Sequence, residues 1–223
     1  MARKAKKEKK PKDERAKMKR ITILTAIVSL VMFLYKMGLG ILTTSLVLMI
    51  GSLSTLLVFI CKVIFIKYIM ASEQKKLKAY LFMTIAVASF VTLFILFAVL
   101  KVSGIDTSNQ KTYEGWLGTV LILVLLIMFI LSINKLKSAL GKSDLTIIGI
   151  KEMTFISALT DLAVIEEFIY RIITNYVTDE ILTFSHKFVP TGVAVTMIAV
   201  PIIMVVRYVR RRIQLKKKTE AAS

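Results

Sequence analysis

The sequence predicts an all-α protein, a polytopic transmembrane helical bundle with six spans and both termini cytoplasmic. Of its 223 residues, 56% are hydrophobic and only 21% are charged, and the mean hydropathy is +0.72. A soluble fold of this size needs more polar surface than this composition supplies. The apolar residues also form blocks close to the length that a helix needs to cross a bilayer. These observations exclude a soluble globular enzyme and a disordered chain.

The apolar blocks divide into six predicted spans. Their ranges are 21–42, 45–68, 79–102, 115–133, 145–176 and 188–206. Between the first two, turn formers cluster only near 38–45, where Ser45 can cap the second helix. Lys36 then lies near the outer end of the first span, where it can snorkel to the headgroups. A turn nearer Lys36 itself is the alternative, and Pro190 and Pro201 are expected to interrupt the last span.

The distribution of basic residues predicts the orientation. The net charge is +18, and placing both termini in the cytoplasm puts 27 of the 32 Lys and Arg residues on that side. Basic residues flanking membrane spans are concentrated in the cytoplasm. We therefore expect a multi-pass plasma-membrane protein with a basic cytoplasmic arm at 1–20, a transmembrane domain at 21–206 and a basic cytoplasmic tail at 207–223.

The two basic segments are expected to bind anionic lipid headgroups. The residues expected to do so are Lys4, Lys6, Lys7, Lys9, Lys10, Arg20, Arg210, Arg211 and Arg212. Nucleic acid is disfavoured as a partner, because no aromatic residue is interleaved with the charges of the arm to stack on bases. A membrane-protein partner or a second copy of the chain is the other interaction that such a protein can make.

The fifth segment is the only one with several charges. At 100° per residue, one side of this helix is largely polar. That side carries Thr154, Ser157, Asp161, Val164, Phe168, Arg171 and Asn175, with Thr160 and Glu167 at its margin. Lipid cannot solvate such a stripe, so it should face other helices or a water-filled cavity. Glu167 and Arg171 are four residues apart and are expected to pair, whereas Glu166 points away and is expected at headgroup level.

Asp161 is the residue whose role is most open. No basic residue lies one turn away on its own helix. Its carboxylate must therefore be protonated, paired with another helix, hydrated, or holding a cation. One interpretation is an ion or proton site formed with Ser157 and Thr154. The alternatives are a hydrogen-bonding group that fixes helix packing, or a fifth segment that lies partly in the interface.

Catalytic and metal-binding signatures are missing from the sequence. It contains no Gly-rich phosphate loop, His-Glu-x-x-His, Gly-x-Ser-x-Gly or Cys-x-x-Cys motif. The single cysteine, Cys61, and the single histidine, His186, are too few soft ligands for a structural zinc site. We therefore expect no enzymatic activity, no cofactor and no metal.

The stretch 36–54, Lys-Met-Gly-Leu-Gly-Ile-Leu-Thr-Thr-Ser-Leu-Val-Leu-Met-Ile-Gly-Ser-Leu-Ser, resembles the junction of helices one and two in cation diffusion facilitators. This resemblance implies six helices with cytoplasmic termini and metal ligands on helices two and five. The matching second-helix positions are Gly51 and Val58, which cannot ligate, and the fifth-helix motif matches only as Ser157 to Asp161. Zinc transport by four ligands is therefore not implied. The chain also resembles uncharacterised six-span membrane proteins of low-GC Gram-positive bacteria, which implies no activity.

Two functions remain open at this point. The first is a small transporter-like or ion-coupled carrier bundle that uses Asp161. The second is a non-transporting accessory or scaffold subunit that binds lipid or a protein partner through its basic tails. Under the first, Asp161→Asn is expected to keep the fold and abolish coupling.

Overall fold

The described part of the chain folds into six α-helices. The computed structural model describes residues 2–104, 116–137, 144–174 and 180–220, and no strand occurs among them. The helices are α1 (Ala2–Leu42), α2 (Leu46–Tyr68), α3 (Glu73–Val102), α4 (Trp116–Lys137), α5 (Leu145–Thr174) and α6 (Glu180–Glu220). The predicted all-α helical bundle is confirmed.

The turn between α1 and α2 lies at Thr43 and Thr44, as the cluster of turn formers predicts. Thr44 adopts a positive φ of 55°, and Ser45 caps α2 by accepting a hydrogen bond from the Leu48 N–H at 3.4 Å. The alternative turn near Lys36 is wrong, because α1 continues past it to Leu42. A Cβ at Gly40 would lie 3.0 Å from Met49 Cγ, so glycine there lets the two helices approach closely.

Four of the described helical segments are long and apolar enough to cross a membrane. These segments are Met18–Leu42, Leu46–Tyr68, Glu73–Val102 and His186–Glu220, and α4 contributes a shorter apolar stretch, Ile122–Asn134. Large apolar side chains such as Leu24 and Leu123 are exposed on the outside of the bundle, where lipid would cover them. The helices thus indicate a membrane protein.

Helix α5 lies at the centre of the bundle. It packs against α2, α3, α4 and α6, whereas α1 packs against α2. Glycines allow two of these contacts. A Cβ at Gly149 would lie 2.8 Å from Met83 Sδ on α3, and one at Gly51 on α2 would lie 3.1 Å from Val164 of α5.

Helix α6 is continuous from Glu180 to Glu220 and includes both of its prolines. The predicted interruption at Pro190 and Pro201 is therefore wrong. Proline removes a single backbone donor from a helix, and membrane helices tolerate that loss when neighbouring groups compensate. The basic segments also continue as helix, since α1 begins at Ala2 and α6 extends through most of the predicted tail.

Contacts between helix ends define two ends of the bundle. At one end, here called the basic end, the start of α3, the start of α5 and the late part of α6 meet through the Lys76–Asp144 and Arg207–Glu152 ion pairs. At the opposite end, here called the far end, Lys101, Glu167 and His186 bring the end of α3, the end of α5 and the start of α6 together.

Candidate functional site

Asp161 pairs with a lysine from another helix. The Lys36 Nζ donates hydrogen bonds to Asp161 Oδ1 and, at 3.2 Å, to Thr55 Oγ1 of α2. Lys36 is 0% exposed and Asp161 is 1% exposed. Of the four states open to Asp161, pairing with another helix is the one observed, and the predicted snorkelling of Lys36 is wrong. A buried ammonium is stabilised only where it meets an opposite charge, and Asp161 supplies that charge.

Side chains of α2 and α5 complete the surroundings of this ion pair. The Thr55 hydroxyl donates to the Gly51 carbonyl at 3.0 Å, so the lone pairs of Thr55 can accept from Lys36. One turn before Asp161, the Ser157 hydroxyl lies 3.1 Å from the Ser54 hydroxyl of α2. Polar side chains of α1, α2 and α5 are therefore in contact with one another in the buried interior of the bundle.

A cavity of about 120 Å³ lies beside the ion pair, between α1, α2, α4 and α5. We call it the central cavity. Its polar lining comprises Thr25, Ser29, Thr55, Lys62, Ser132, Thr154, Ser157 and Asp161. The three residues predicted as an ion or proton site, Asp161, Ser157 and Thr154, thus share one surface. The fully buried Lys36 reaches Asp161 from outside this lining.

Hydroxyl groups of the central cavity are oriented by their own helices. Ser29 donates to the Thr25 carbonyl at 3.0 Å, and Thr154 donates to the Ile150 carbonyl at 2.7 Å. With Thr55, and with Thr25, which donates to the Thr22 carbonyl at 3.1 Å, this makes four lining hydroxyls whose single proton is committed to the backbone. A hydroxyl in this state retains lone pairs that accept hydrogen bonds, so the cavity wall is rich in acceptors.

Lys62 lies on the same wall. Its Nζ donates to the Thr25 carbonyl at 2.8 Å and to the Ser29 hydroxyl at 2.7 Å. Lys62 is a residue of α2 whose side chain lines the cavity. The Lys62 ammonium therefore lies on the cavity wall itself, whereas the Lys36 ammonium is connected to the wall only through Asp161.

A second group of charges lies at the far end, on α3, α5 and α6. The Lys101 Nζ lies 2.6 Å from Glu167 Oε2, and the Arg171 Nη2 lies 3.0 Å from Glu167 Oε1. The predicted Glu167–Arg171 pair is confirmed. Lys101 of α3 is the partner that the sequence did not predict, because no spacing rule connects residues 66 positions apart.

Glu166 and His186 complete the far-end cluster. The His186 Nδ1 lies 2.9 Å from Glu166 Oε1, and the imidazole stacks on Tyr170 with ring centroids 3.6 Å apart. Glu166 is partly covered by this contact with α6, and its predicted position at headgroup level stays a prediction. Ligand atoms of Glu166, Glu167 and His186 lie within 4.8 Å of one another and could hold a metal ion. However, the Lys101 ammonium already lies 3.4 Å from His186 Nδ1 and occupies this space.

The basic end carries the third group of charges. Glu152 of α5 accepts hydrogen bonds from Arg207 of α6 and, at 2.9 Å, from the Tyr80 hydroxyl of α3. Arg211 of α6 lies 3.4 Å from Glu73 of α3. These pairs join α3, α5 and α6 at the basic end, as Lys101, Glu167 and His186 join them at the far end.

Asp144 caps the start of α5. Its Oδ1 accepts from the Thr146 N–H at 3.0 Å and its Oδ2 lies 2.9 Å from Lys76 Nζ. Burial alone would raise the pKa of Asp144, but the hydrogen bonds from Thr146 and the charge of Lys76 outweigh it and lower the pKa below its ordinary value. Asp144 therefore stays ionised at neutral pH.

The residues predicted to bind lipid divide into two groups. Arg20, Arg210 and Arg212 are exposed, and Arg211 is partly covered by its contact with Glu73. Lys4, Lys6, Lys7, Lys9 and Lys10 lie on α1, but their side chains are outside the described part of the structure.

No family model matches the chain, and neither a curated protein nor a solved structure is detectably similar to it. The resemblance to cation diffusion facilitators stays a prediction. At the positions that carry it, Gly51 contacts Val164 of α5, while Val58 and Asp161 line the central cavity.

Proposed function

We propose that this chain is a six-span plasma-membrane carrier with both termini cytoplasmic, and that Asp161 is its coupling site. A small ion or polar solute passes through the central cavity, and its binding competes with the Lys36–Asp161 ion pair. The observation that supports this proposal is the position of the Asp161 carboxylate, which joins a fully buried lysine to a polar cavity.

The energetic cost of this arrangement favours a functional role over a structural one. Taking both charges out of water costs more than packing apolar residues of similar volume would. Ionisable residues within membrane helices commonly mark ion pathways or proton relays. A carboxylate that also lines a cavity can exchange its partner for an incoming proton or cation. Such an exchange is what a coupled carrier requires.

The proposed orientation rests on the charge distribution. The first described residues of α1 and the last of α6 belong to the basic end, which carries Arg20, Arg210 and Arg212. Cytoplasmic flanks attract basic residues, so we assign the basic end to the cytoplasm and the far end to the outside.

The alternative function is a non-transporting accessory subunit. Helix α6 favours it, since its basic extension is joined to the bundle through Arg207 and Arg211 and projects exposed basic side chains. A rigid basic helix of this kind suits an anionic lipid surface or a protein partner.

Reconstitution of the purified protein separates the two functions. Proteoliposomes with a pH-sensitive dye inside should report a pH change when a solute is added outside, drawn from a panel of small cations, anions and neutral polar molecules. A carrier produces this signal alone, whereas an accessory subunit does not. Signals equal to those of protein-free liposomes across the whole panel would refute the carrier proposal and favour the accessory subunit.

A further inference from the structure

The central cavity is open on one side of the bundle. Helix α5 packs against α2 and α4, and α2 packs against α1, but within the described residues α1 and α4 do not pack against each other. Both of these helices nevertheless line the cavity. Val28 of α1 is 53% exposed and Leu131 of α4 is 48% exposed, although both belong to the lining. The cavity therefore reaches the outer surface of the bundle between α1 and α4, at a place here called the lateral opening.

We propose that the lateral opening binds an anionic phospholipid from the leaflet at the basic end. The lipid phosphate contacts the Lys62 ammonium, and an acyl chain lies between α1 and α4. The inference goes beyond the proposed carrier function, because a lipid in this position closes the open side of the cavity whether or not the protein transports a solute. Four features support it: the charge of the wall, its hydroxyl groups, the depth of Lys62, and the side chains at the rim.

The charge of the cavity wall favours an anionic headgroup. The charged side chains of the lining are Lys62 and Asp161, and Asp161 is already paired with Lys36. The Lys62 ammonium is therefore the charge that a headgroup meets. Its Nζ donates to the Thr25 carbonyl at 2.8 Å and to the Ser29 hydroxyl at 2.7 Å, which are both neutral groups. A phosphate oxygen adds a Coulomb attraction to the ammonium that these neutral acceptors lack.

The hydroxyls of the wall favour a headgroup that also carries hydroxyl donors. Four lining hydroxyls donate their single protons to backbone carbonyls and retain lone pairs that accept hydrogen bonds. They belong to Thr25, Ser29, Thr55 and Thr154. A choline headgroup offers no donor to such a wall, because its nitrogen carries no hydrogen. The headgroup of phosphatidylglycerol combines an anionic phosphate with glycerol hydroxyls, so it matches the wall in both charge and donors.

The Lys62 ammonium lies at a depth that a lipid phosphate can reach. Arg20 of α1 and Lys67 of α2 are exposed at the basic end. Lys62 precedes Lys67 by five residues, and so lies about 8 Å deeper along α2. Its acceptor Thr25 follows Arg20 by five residues and lies equally deep along α1. Since the headgroup region is roughly 5–8 Å thick on each side of the hydrocarbon core, the ammonium lies near the inner boundary of that region.

The side chains at the rim favour an acyl chain over a transmembrane helix. Val28 and Leu131 are branched apolar residues, and Leu24, one turn before Val28 on α1, is also exposed. Helices that pack closely in a membrane meet through small residues, which these positions do not supply. An apolar helix from a second copy of the chain would also bring no anion to Lys62. A flexible acyl chain fits between branched side chains, and its headgroup supplies the anion.

Native mass spectrometry of the full chain in detergent tests the proposal. The wild type should retain one phosphatidylglycerol more tightly than it retains phosphatidylcholine. Lys62→Met should weaken phosphatidylglycerol binding by roughly tenfold or more, because a hydrogen bond between two charged groups is lost, whereas Lys62→Arg should keep most of the affinity. Lys67→Met removes the same charge from an exposed position outside the cavity lining, so it should bind like the wild type. No loss in Lys62→Met, or an equal loss in Lys67→Met, would overturn the proposal.

Quenching by brominated lipid decides the matter if Lys62→Met does not fold. The single tryptophan, Trp116, is first removed by Trp116→Phe. Leu131→Trp then places the fluorophore at the rim, and Ile130→Trp places it at a neighbouring exposed position outside the lining. A small fraction of brominated phosphatidylglycerol in vesicles should quench Leu131→Trp more than Ile130→Trp, and brominated phosphatidylcholine should show no such preference. Equal quenching at the two positions, or a dimer that retains no lipid in the mass spectrum, would overturn the proposal.

Discussion

The buried Lys36–Asp161 pair predicts strong coupling between two substitutions. Asp161→Leu removes the carboxylate and leaves the Lys36 ammonium buried without an opposite charge, and Asp161→Asn does the same. Lys36→Met removes the ammonium and leaves the Asp161 carboxylate buried without an opposite charge. Because both side chains are at most 2% exposed, the unpaired charge cannot reach water in either variant. Asp161→Asn is therefore expected to destabilise the fold rather than keep it, because the Lys36 ammonium depends on the carboxylate.

The magnitude follows from the burial of both partners. Removing one member of a buried ion pair typically costs about 3–5 kcal/mol, whereas replacing both by apolar residues is often neutral or stabilising by about 1–4 kcal/mol. Each single variant should thus lose a large part of the roughly 5–15 kcal/mol by which a typical domain is stable. The double variant Lys36→Met/Asp161→Leu should regain nearly all of it.

Unfolding of the four proteins in detergent, followed by tryptophan fluorescence or circular dichroism, measures this coupling. A double-mutant cycle over the wild type, the two single variants and the double variant gives the interaction free energy. Losses in the single variants that simply add in the double variant would refute the ion pair. Losses below about 1 kcal/mol in each single variant, the size typical of exposed pairs, would refute its burial.

The other charged and close-packed sites give separate predictions. Glu167→Gln should lower the free energy of unfolding by about 3 kcal/mol, because Lys101 loses its carboxylate. A loss smaller than that in a variant of an exposed ion pair would contradict the ion pairing of Glu167 in the far-end cluster. Asp144→Asn should lower the free energy of unfolding at neutral pH. Because folding lowers the pKa of Asp144, the difference in stability between variant and wild type should disappear as the pH falls below about 4. A difference that persists in acid would contradict this. Gly149→Ala should cost about 1–3 kcal/mol through overpacking against α3, measured by melting temperature. A peptide of residues 207–220 should bind anionic vesicles, with about 1 kcal/mol for each basic residue near the surface, and should dissociate at high salt; equal binding to neutral vesicles would contradict an electrostatic attachment.

The helices could be predicted from the sequence because their signals are local. Hydrophobic blocks of bilayer length, polar loops and the Ser45 cap depend on neighbouring residues, and the helices begin and end close to the predicted positions. The exceptions are the ends that extend beyond the apolar blocks, as in α1 and α6. There the helix continues through the basic segments, and no change of hydropathy marks the residue at which it begins or ends.

The candidate site could be predicted only on α5. Helical periodicity grouped Thr154, Ser157 and Asp161, and all three line the central cavity. It could not identify Lys36, whose contact with Asp161 spans 125 positions. A usable signal was present nonetheless: Lys36 follows Arg20 by 16 residues and Asp161 follows Leu145 by 16 residues. If α1 and α5 enter the membrane from the same side, the two charges lie at similar depths, about 24 Å along each helix.

The acidic residues of α5 face different neighbouring helices. Nine residues separate Glu152 from Asp161, which turns them to opposite sides of the helix. Glu152 and Glu167 face α3 and α6, whereas Asp161 faces α1 and α2. A helical wheel separates Glu152 from Asp161 and places Glu167 at the margin of the stripe, but it contains no information on which neighbouring helix each position faces.

Proton movement driven by a solute gradient in proteoliposomes tests the central claim, that the Asp161 carboxylate couples transport. Three proteins should be compared at equal reconstitution: the wild type, the charge-free double variant Lys36→Met/Asp161→Leu, and Asp144→Asn, a carboxylate variant outside the cavity. The account predicts flux in the wild type and in Asp144→Asn, and none in the double variant, although that variant melts at least as high as Asp144→Asn. Wild-type flux in the double variant would contradict the claim.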